Sequence, residues 1–249
     1  MTIREIRQIL EQTEPEQLEA ALNAYRGDER SGVKKLLLQY EKKKTAYEKE
    51  KQRIHKMGEY ERAQKNASYI CGIDEVGRGP LCGPVVAAAV ILPKDCEILY
   101  VNDSKQLSAS KREQLYEEIQ KQAVSIGIGL STAQTIDQIN ILQATYEAMR
   151  EAVSKLSVVP DVLLNDAVII PGLPMKQVKI IKGDEKSISI AAASIIAKVT
   201  RDRMMEEYDK LYPGYGFASN KGYGSREHIE ALKKLGPCPI HRKTFITHF

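Results

Sequence analysis

The chain has 249 residues, 43% of them apolar and 28% charged, which suits one large soluble domain or a standard domain with an appendage. Its longest apolar run, Val85 to Leu92, is far shorter than the roughly 20 residues a membrane-spanning helix needs, and the charged N-terminus lacks the apolar centre of a secretory leader, so neither membrane insertion nor secretion is expected. A formal net charge of +4 is too mild to identify a nucleic-acid partner, but it is unevenly spread: residues 1–32 hold 4 basic and 7 acidic side chains, residues 33–66 hold 11 and 5, and the remainder hold 22 and 21.

Composition changes near residue 68. Residues 1–68 are charged and poor in Gly and Pro, and are predicted to form a helical N-terminal region able to contact nucleic acid; residues 69–249 are predicted to form the main domain. Ile3, Ile6, Ile9 and Leu10 recur at helical spacing, as do Leu18, Ala21 and Leu22, with Pro15 in the first turn of a helix begun near Thr13. Arg26 to Gly32 reads as a turn and Val33 to Arg62 as one long helix. Strands are expected at Tyr69–Val76 and Gly83–Leu92, followed by a loop to Ser108, a helix over Lys111–Gln122 and a strand over Ala123–Leu130. Ser131 to Leu156 is predicted as a long helix with Ile136, Ile139, Leu142, Tyr146, Met149 and Val153 on one face. Short strands at Asp161–Asp166 and Val178–Lys182 precede a helix over Ser187–Leu211, whose first half is apolar nearly all round and therefore buried. A last helix covers Arg226–Leu235. Strands in hairpin order, then strands alternating with helices, imply an α/β fold with a mixed sheet flanked by helices.

The informative residues are acids in apolar surroundings. Asp74 and Glu75 lie inside a strand that should be buried, Asp166 ends another, and Asp184 precedes the buried helix. An unpaired buried carboxylate is costly. Asp184 can serve simply as a cap for the helix at Ser187 and Asp166 as a strand-end turn residue, but consecutive acids in a strand face opposite sides of the sheet, so one of them points inward unless the strand bulges. One arrangement accounts for all four: carboxylates converging from strand ends and a helix start to bind Mg²⁺ or Mn²⁺, which prefer hard oxygen ligands. Two such ions can hold the attacking and leaving oxygens of a phosphodiester displacement. Gly77-Arg78-Gly79-Pro80 permits close approach of a nucleic-acid backbone, Asn102 to Lys105 offers donors and a cation for phosphate, and Tyr223, between glycines with Lys221 nearby, offers a stacking ring. The cysteines, Cys71, Cys82, Cys96 and Cys238, form no C-x-x-C pair, and Cys238 with His241 lacks a second pair to complete a zinc site. Free thiols suit a reducing cytoplasm.

The stretches GIDEVGRGPLCGPVVAAAVIL, NDSKQLS, IDQINILQATYEAM, IKGDEKSISIAAASIIAKVTRDRM, YPGYGF, KGYGSREH and HRKTF together resemble, in order, ribonuclease HII, the bacterial type 2 ribonuclease H. The resemblance covers essentially all of residues 69–249. It implies a ribonuclease H-like fold and an endonuclease that cuts the RNA strand of RNA–DNA hybrids and incises DNA duplexes at single ribonucleotides. It places the metal-binding, catalytic acids at Asp74, Glu75, Asp166 and Asp184, with Asp184 as a ligand or as an orienter of water and metal. It places the motif that reads the ribose 2′-hydroxyl at Gly77, Arg78 and Gly79, the phosphate-contacting motif at Asp103, Ser104 and Lys105, and the ring that packs on the adjacent deoxyribose at Tyr223. Asn165 stands before Asp166 where the family pattern suggests an aliphatic residue, and the chain ends four residues after Phe245, which weakens any claim of a clamp-binding tail. The implied mechanism uses two ions, one activating water on the 5′ side of a ribonucleotide and one stabilising the departing 3′-oxygen, leaving 3′-hydroxyl and 5′-phosphate ends. The sister family, ribonuclease HIII, has a sheet-containing N-terminal domain and a glutamate as fourth acid, and this chain departs from both. The protein is expected to be cytoplasmic and monomeric, with no obligate protein partner.

Overall fold

Ile6 and Leu10 share one face of helix α1 (Ile3–Gln12), which opens with a reciprocal cap: the Glu5 N–H donates to the Thr2 hydroxyl and the Thr2 N–H donates to the Glu5 carboxylate. Pro15 begins a 3₁₀ turn that feeds α2 (Leu18–Asn23), and α3 (Ser31–Met57) returns along both. Ile6, Leu10, Leu18, Leu22, Val33, Leu36, Leu37 and Tyr40 form one apolar cluster there. The helix expected to run to Arg62 stops at Met57; Gly58 leaves helical geometry and α4 (Glu59–Arg62) restarts after it. The computed structural model describes residues 1–248. Within it the chain forms two compact units, Met1–Lys56 and Met57 onward.

The second unit is built on five strands, β1 (Ile70–Val76), β2 (Val85–Ile91), β3 (Ser125–Ser131), β4 (Val162–Asp166) and β5 (Lys176–Ile180), in the order β3-β2-β1-β4-β5. β2 is antiparallel to β1 and β3, while β1, β4 and β5 run parallel. All seven residues of β2 are buried, because strands flank it and helices cover both faces. On one face lies α6 (Ala133–Ser154), whose Ala144, Ala148, Met149 and Ala152 pack on Cys71, Ile73, Val85, Ala87, Ala89 and Ile91. On the other lies α7 (Ile188–Leu211), flanked by α5 (Ala109–Gln122). Small residues let these layers meet backbone to backbone: a Cβ on Gly127 would sit 2.0 Å from the Ala152 carbonyl oxygen, and one on Gly72 would sit 2.1 Å from the Ser189 carbonyl carbon. Two short helices follow, α8 (Phe217–Asn220), which packs against α7, and α9 (Arg226–Leu235).

The apolar face expected along α6 packs on the sheet except at Leu142, with Ile139 and Tyr146 against the same core cluster as Ile136, Met149 and Val153, although the helix is kinked. Asn140 adopts φ 66°, and its side chain re-caps the helix by accepting from the N–H groups of Leu142 and Gln143. Ile136, Met149 and Val153 are buried, Leu142 just after the kink is 40% exposed, and alanines share the buried face. At the start of α7, the Ser187 hydroxyl accepts from the Ile190 N–H, so the cap is Ser187 itself and not Asp184. Glu61 of α4 adds a carboxylate at that helix N-terminus, accepting from the Ser187 and Ser189 hydroxyls at 2.6 Å each and from the Ser189 N–H. Among the described residues no helix is long and apolar enough to cross a membrane.

The backbone approach at β3 predicts that Gly127→Ala lowers stability by about 2 kcal/mol, as overpacking does. Gly27→Ala, where nothing lies within 4 Å of the added carbon, changes it by less than about 0.5 kcal/mol. Urea unfolding of the two variants checks this.

Candidate active site

β1 and β4 lie side by side and parallel with Ile73 opposite Asn165, so Asp74 and Asp166 follow each other out at the carboxyl ends of neighbouring strands. This is where open α/β sheets place their ligand sites. Asp74 is 7% exposed and shares its side of the sheet with Gly72, toward α7; Glu75 alternates to the other side. Asp166 accepts from the Gly183 N–H at 2.7 Å, which ties the end of β4 to the 3₁₀ turn carrying Asp184, itself 9% exposed. The four sequence-predicted acids are thus gathered at one edge. Asn165 is fully buried beside them: its amide donates at 2.8 Å to Gln177 on β5, a polar partner that replaces the aliphatic packing expected there.

The carboxyls destabilise one another as anions. Burial pushes Asp74 well above the usual carboxylate range and the charges of Glu75 and Asp166 push it further, against hydrogen bonds from the Ser194 hydroxyl and the Glu75 N–H. Glu75 is raised by burial, with the Arg78 guanidinium 3.3 Å away opposing the shift. Asp184 is pushed up to about 6 by burial and by the charges of Asp166 and Asp103. Three acids whose negative charge is disfavoured by burial and by one another, with oxygen donors only, fit a hard divalent cation such as Mg²⁺ or Mn²⁺. No three of the four bring carboxylate oxygens within 4.8 Å of one another among the described residues, so the set is open. That suits ions that keep water and bind substrate phosphate.

Lys105 faces this cluster. Partial burial disfavours its charge, but the carboxylates of Asp103, Asp74 and Asp184 outweigh that and hold its pKa above the ordinary value. The other two residues of its motif serve the loop. Asp103 accepts from the Lys105 N–H at 3.0 Å, and the buried Ser104 hydroxyl lies 2.9 Å from the hydroxyl of Ser194, which also reaches Asp74.

Gly77 to Pro80 follows the acid pair. Gly77 has φ 92°, and a Cβ there would meet the Arg201 guanidinium nitrogen Nε at 2.3 Å. A Cβ on Gly79 would stand 3.8 Å from Cε1 of the Tyr223 ring, which is 45% exposed, so the two sequence-predicted reading elements are adjacent. They are stitched by a Leu81 N–H to Gly222 carbonyl bond of 2.8 Å.

Beneath them lie two fully buried arginines whose hydrogen bonds all go to backbone carbonyls, a feature not foreseen from the sequence. Arg201 donates to Pro84, Lys221 and Cys82 at 2.9, 2.8 and 3.1 Å. Arg242 donates to Gly77, Arg78, Pro80 and Gly83. Burial, and then the charge of Arg201, lowers Arg242 to about 10, still a cation at neutral pH. Each peptide here is trans, so holding the Gly77 and Arg78 carbonyls on Arg242 turns the N–H groups of Arg78 and Gly79 away from it. Neither N–H has a partner among the described residues. One signal was present: Arg201 falls between Ala197 and Met205 at four-residue spacing, a core position on α7.

A family model described as "Ribonuclease HII" matches residues 71–248, and one described as "Ribonuclease HII N-terminal domain" matches residues 2–65. The ribonuclease HII of Lachnoclostridium phytofermentans is 66% identical over 222 residues, 89% of this chain and 87% of the relative. That of Clostridioides difficile is 50% identical over 247 residues, 98% and 97% of the two chains. Among solved structures, the ribonuclease H2 of Pyrococcus horikoshii superposes with a TM-score of 0.61 at 30% identity, covering 72% of this chain and 94% of that one. The ribonuclease HII from Archaeoglobus fulgidus, solved in a complex with PCNA, gives 0.56 at 30% identity, covering 67% and 87%.

The raised Asp184 sets a sign for stability. Its folded pKa lies above its unfolded one, so metal-free protein loses stability as pH rises from about 4 through 6. Asp184→Asn is expected to raise the metal-free Tm by about 3 °C at pH 7.5, the shift that about 1 kcal/mol produces in a chain of this size, and by nothing at pH 4. Adding Mn²⁺ is expected to raise the wild-type Tm more than that of the variant. Differential scanning calorimetry at the two pH values reads both, and a lowered variant Tm at pH 7.5 contradicts the mutual repulsion.

Proposed function

The chain belongs to the ribonuclease HII family and is an endonuclease of the ribonuclease H class; from that footing we propose that it cuts the RNA strand of RNA–DNA hybrids and incises DNA duplex on the 5′ side of a single embedded ribonucleotide. The observation that carries this reading is the juxtaposition at one sheet edge of four mutually repelling acids with a glycine loop and an exposed tyrosine ring.

Asp74, Glu75 and Asp166 would hold Mg²⁺ or Mn²⁺, with Asp184 as a further ligand or as the group that orients water. Two bound ions would supply an activated water and charge stabilisation for the departing 3′-oxygen, leaving 3′-hydroxyl and 5′-phosphate ends. The Ser194 hydroxyl, by donating to Asp74, leaves the carboxylate's other lone pairs free to face outward. Lys105 offers the phosphate a cation while the acids keep it charged. The outward N–H groups of Arg78 and Gly79 suit a ribose 2′-hydroxyl, the group that separates RNA from DNA. The Tyr223 ring beside Gly79 offers a deoxyribose an apolar face, against which a sugar bearing a 2′-hydroxyl would pack less well. Free cysteines, two of them buried, suit action in the cytoplasm.

End-labelled duplex DNA with one ribonucleotide, incubated with Mg²⁺ or Mn²⁺ beside an all-DNA control, is expected to give a single cut 5′ to the ribonucleotide. EDTA is expected to abolish it, and Asp74→Asn to slow it roughly a thousandfold. Tyr223→Ala is expected to cost about tenfold to a hundredfold on that substrate, the range of a lost stacking contact. Cleavage of a long hybrid alone would contradict the junction reading.

A further inference from the structure

His241 and Arg242 are consecutive, and each reaches one half of the proposed substrate reader. Arg242 collects the carbonyls of Gly77, Arg78 and Pro80. His241 reaches the Tyr223 segment through a second histidine: its Nε2 lies 3.1 Å from Nε2 of His228, and His228 Nδ1 lies 2.8 Å from the Tyr223 carbonyl oxygen. The dipeptide is itself fixed. The Gly83 N–H donates to Ile240, the Arg242 N–H donates to Leu81, and the N–H groups of Lys243 and Thr244 donate to Asp137.

The proton positions in this relay are set by its two ends. A carbonyl oxygen only accepts, so His228 Nδ1 carries a proton and donates to Tyr223. A backbone N–H only donates, so His241 Nδ1, 3.0 Å from the Cys238 nitrogen, is unprotonated and accepts. Neutral His241 then carries its proton on Nε2 and donates it to the bare Nε2 of His228. Burial lowers the pKa of both rings, His241 to about 4, where the charge of a protonated His228 adds to the effect; both are therefore neutral at physiological pH. Every ring nitrogen is engaged, and the relay has one direction: Cys238 N–H to His241 to His228 to the Tyr223 carbonyl. The rings pack against the stacked pair Tyr215 and Phe217, with centroids 5.2 to 6.5 Å apart.

The competing reading is a metal site. Among the described residues, Cys82, His228 and His241 are the one set of three possible ligand atoms within 4.8 Å of each other. A cation on His241 Nε2 would force the ring proton onto Nδ1, against the Cys238 N–H. The hydrogen bonds present instead use both Nε2 atoms for each other.

We propose that His241–Arg242 is a positioning element that holds the Gly77–Gly79 loop and the Tyr223 segment in a single register, Arg242 aiming the loop N–H groups outward and the two-histidine relay fixing the Tyr223 backbone. This rests on the junction-reading function proposed above, and no reacting atom is touched by either residue. The two halves of the reader are 140 or more positions apart in the chain, and one dipeptide spans both.

Two measurements on the full chain test it. Nitrogen-15 NMR of the histidine rings is expected to show a protonated Nδ1 on His228, a protonated Nε2 on His241, and a scalar coupling across the Nε2–H···Nε2 bond. The reversed tautomers overturn the relay, as does ring nitrogen bound to Zn²⁺ with zinc retained through purification. The second is a double-mutant cycle on single-ribonucleotide duplex, with melting temperatures in parallel. His228→Phe keeps the ring packing and removes the donor to Tyr223. It is expected to lower kcat/KM about tenfold in the wild-type background and less than about twofold in Tyr223→Ala, because its effect passes through Tyr223. Arg242→Lys keeps the charge and loses the fan of donors; it is expected to lower the preference for single-ribonucleotide duplex over long hybrid by about tenfold. Equal losses in both backgrounds, or on both substrates, overturn positioning and leave a structural role. A wild-type protein that leaves single-ribonucleotide duplex uncut overturns the proposed substrate first, and the positioning role with it, an outcome distinct from a cutting enzyme with an additive cycle.

Discussion

Four carboxyls are brought to one edge of a sheet, where they repel each other, and strand pairing and helix packing in the second unit hold them there. Parallel pairing of β1 with β4 forces Asp74 and Asp166 together, and the Gly183 N–H draws in the turn that carries Asp184. Few groups nearby offset the charge. Arg78 reaches Glu75, Lys105 lies within electrostatic range of Glu75, Asp74 and Asp184, and the hydroxyl of Ser194 reaches Asp74. A fold that stores unfavourable charge in this way has a stability cost that a bound cation offsets, the common trade between stability and activity at a functional site.

The same edge is stiff where it must be. Gly72 admits the backbone of α7 to β1, so Ser194 comes within reach of Asp74, and Gly127 and Gly129 do the same for α6 on the opposite face. The loops proposed to face substrate have no such sheet support. They are held from beneath by buried guanidinium groups, which satisfy several carbonyls at once and leave the opposite face of each peptide pointing outward. A charged donor makes stronger bonds than a neutral one, and two cations with no carboxylate partner among the described residues persist in the interior because each is surrounded by carbonyl dipoles.

Periodicity and solvation determined how much was legible in the sequence. The buried run in β2, the apolar first half of α7 and the misplaced acids Asp74 and Glu75 each violate or satisfy a local pattern, and local patterns are visible in one dimension. The face predicted on α6 holds apart from Leu142, two residues beyond the kink at Asn140, while the long N-terminal helix is interrupted at Gly58. Arg201, Arg242, His228 and His241 escaped because many of their partners are backbone carbonyls, which carry no residue identity, and lie up to 165 positions away. Asn165 was read as a departure from an aliphatic pattern, and its partner Gln177 on the next strand could be identified only once the register was known.

The acids, and not the histidine–cysteine cluster, are the proposed metal centre. The most direct measurement is an anomalous-scattering map from crystals soaked in Mn²⁺. Peaks among the carboxylates of Asp74, Glu75, Asp166 and Asp184, and none at Cys82, His228 and His241, are the predicted result. An empty carboxylate edge with a peak between the two histidines would contradict the account.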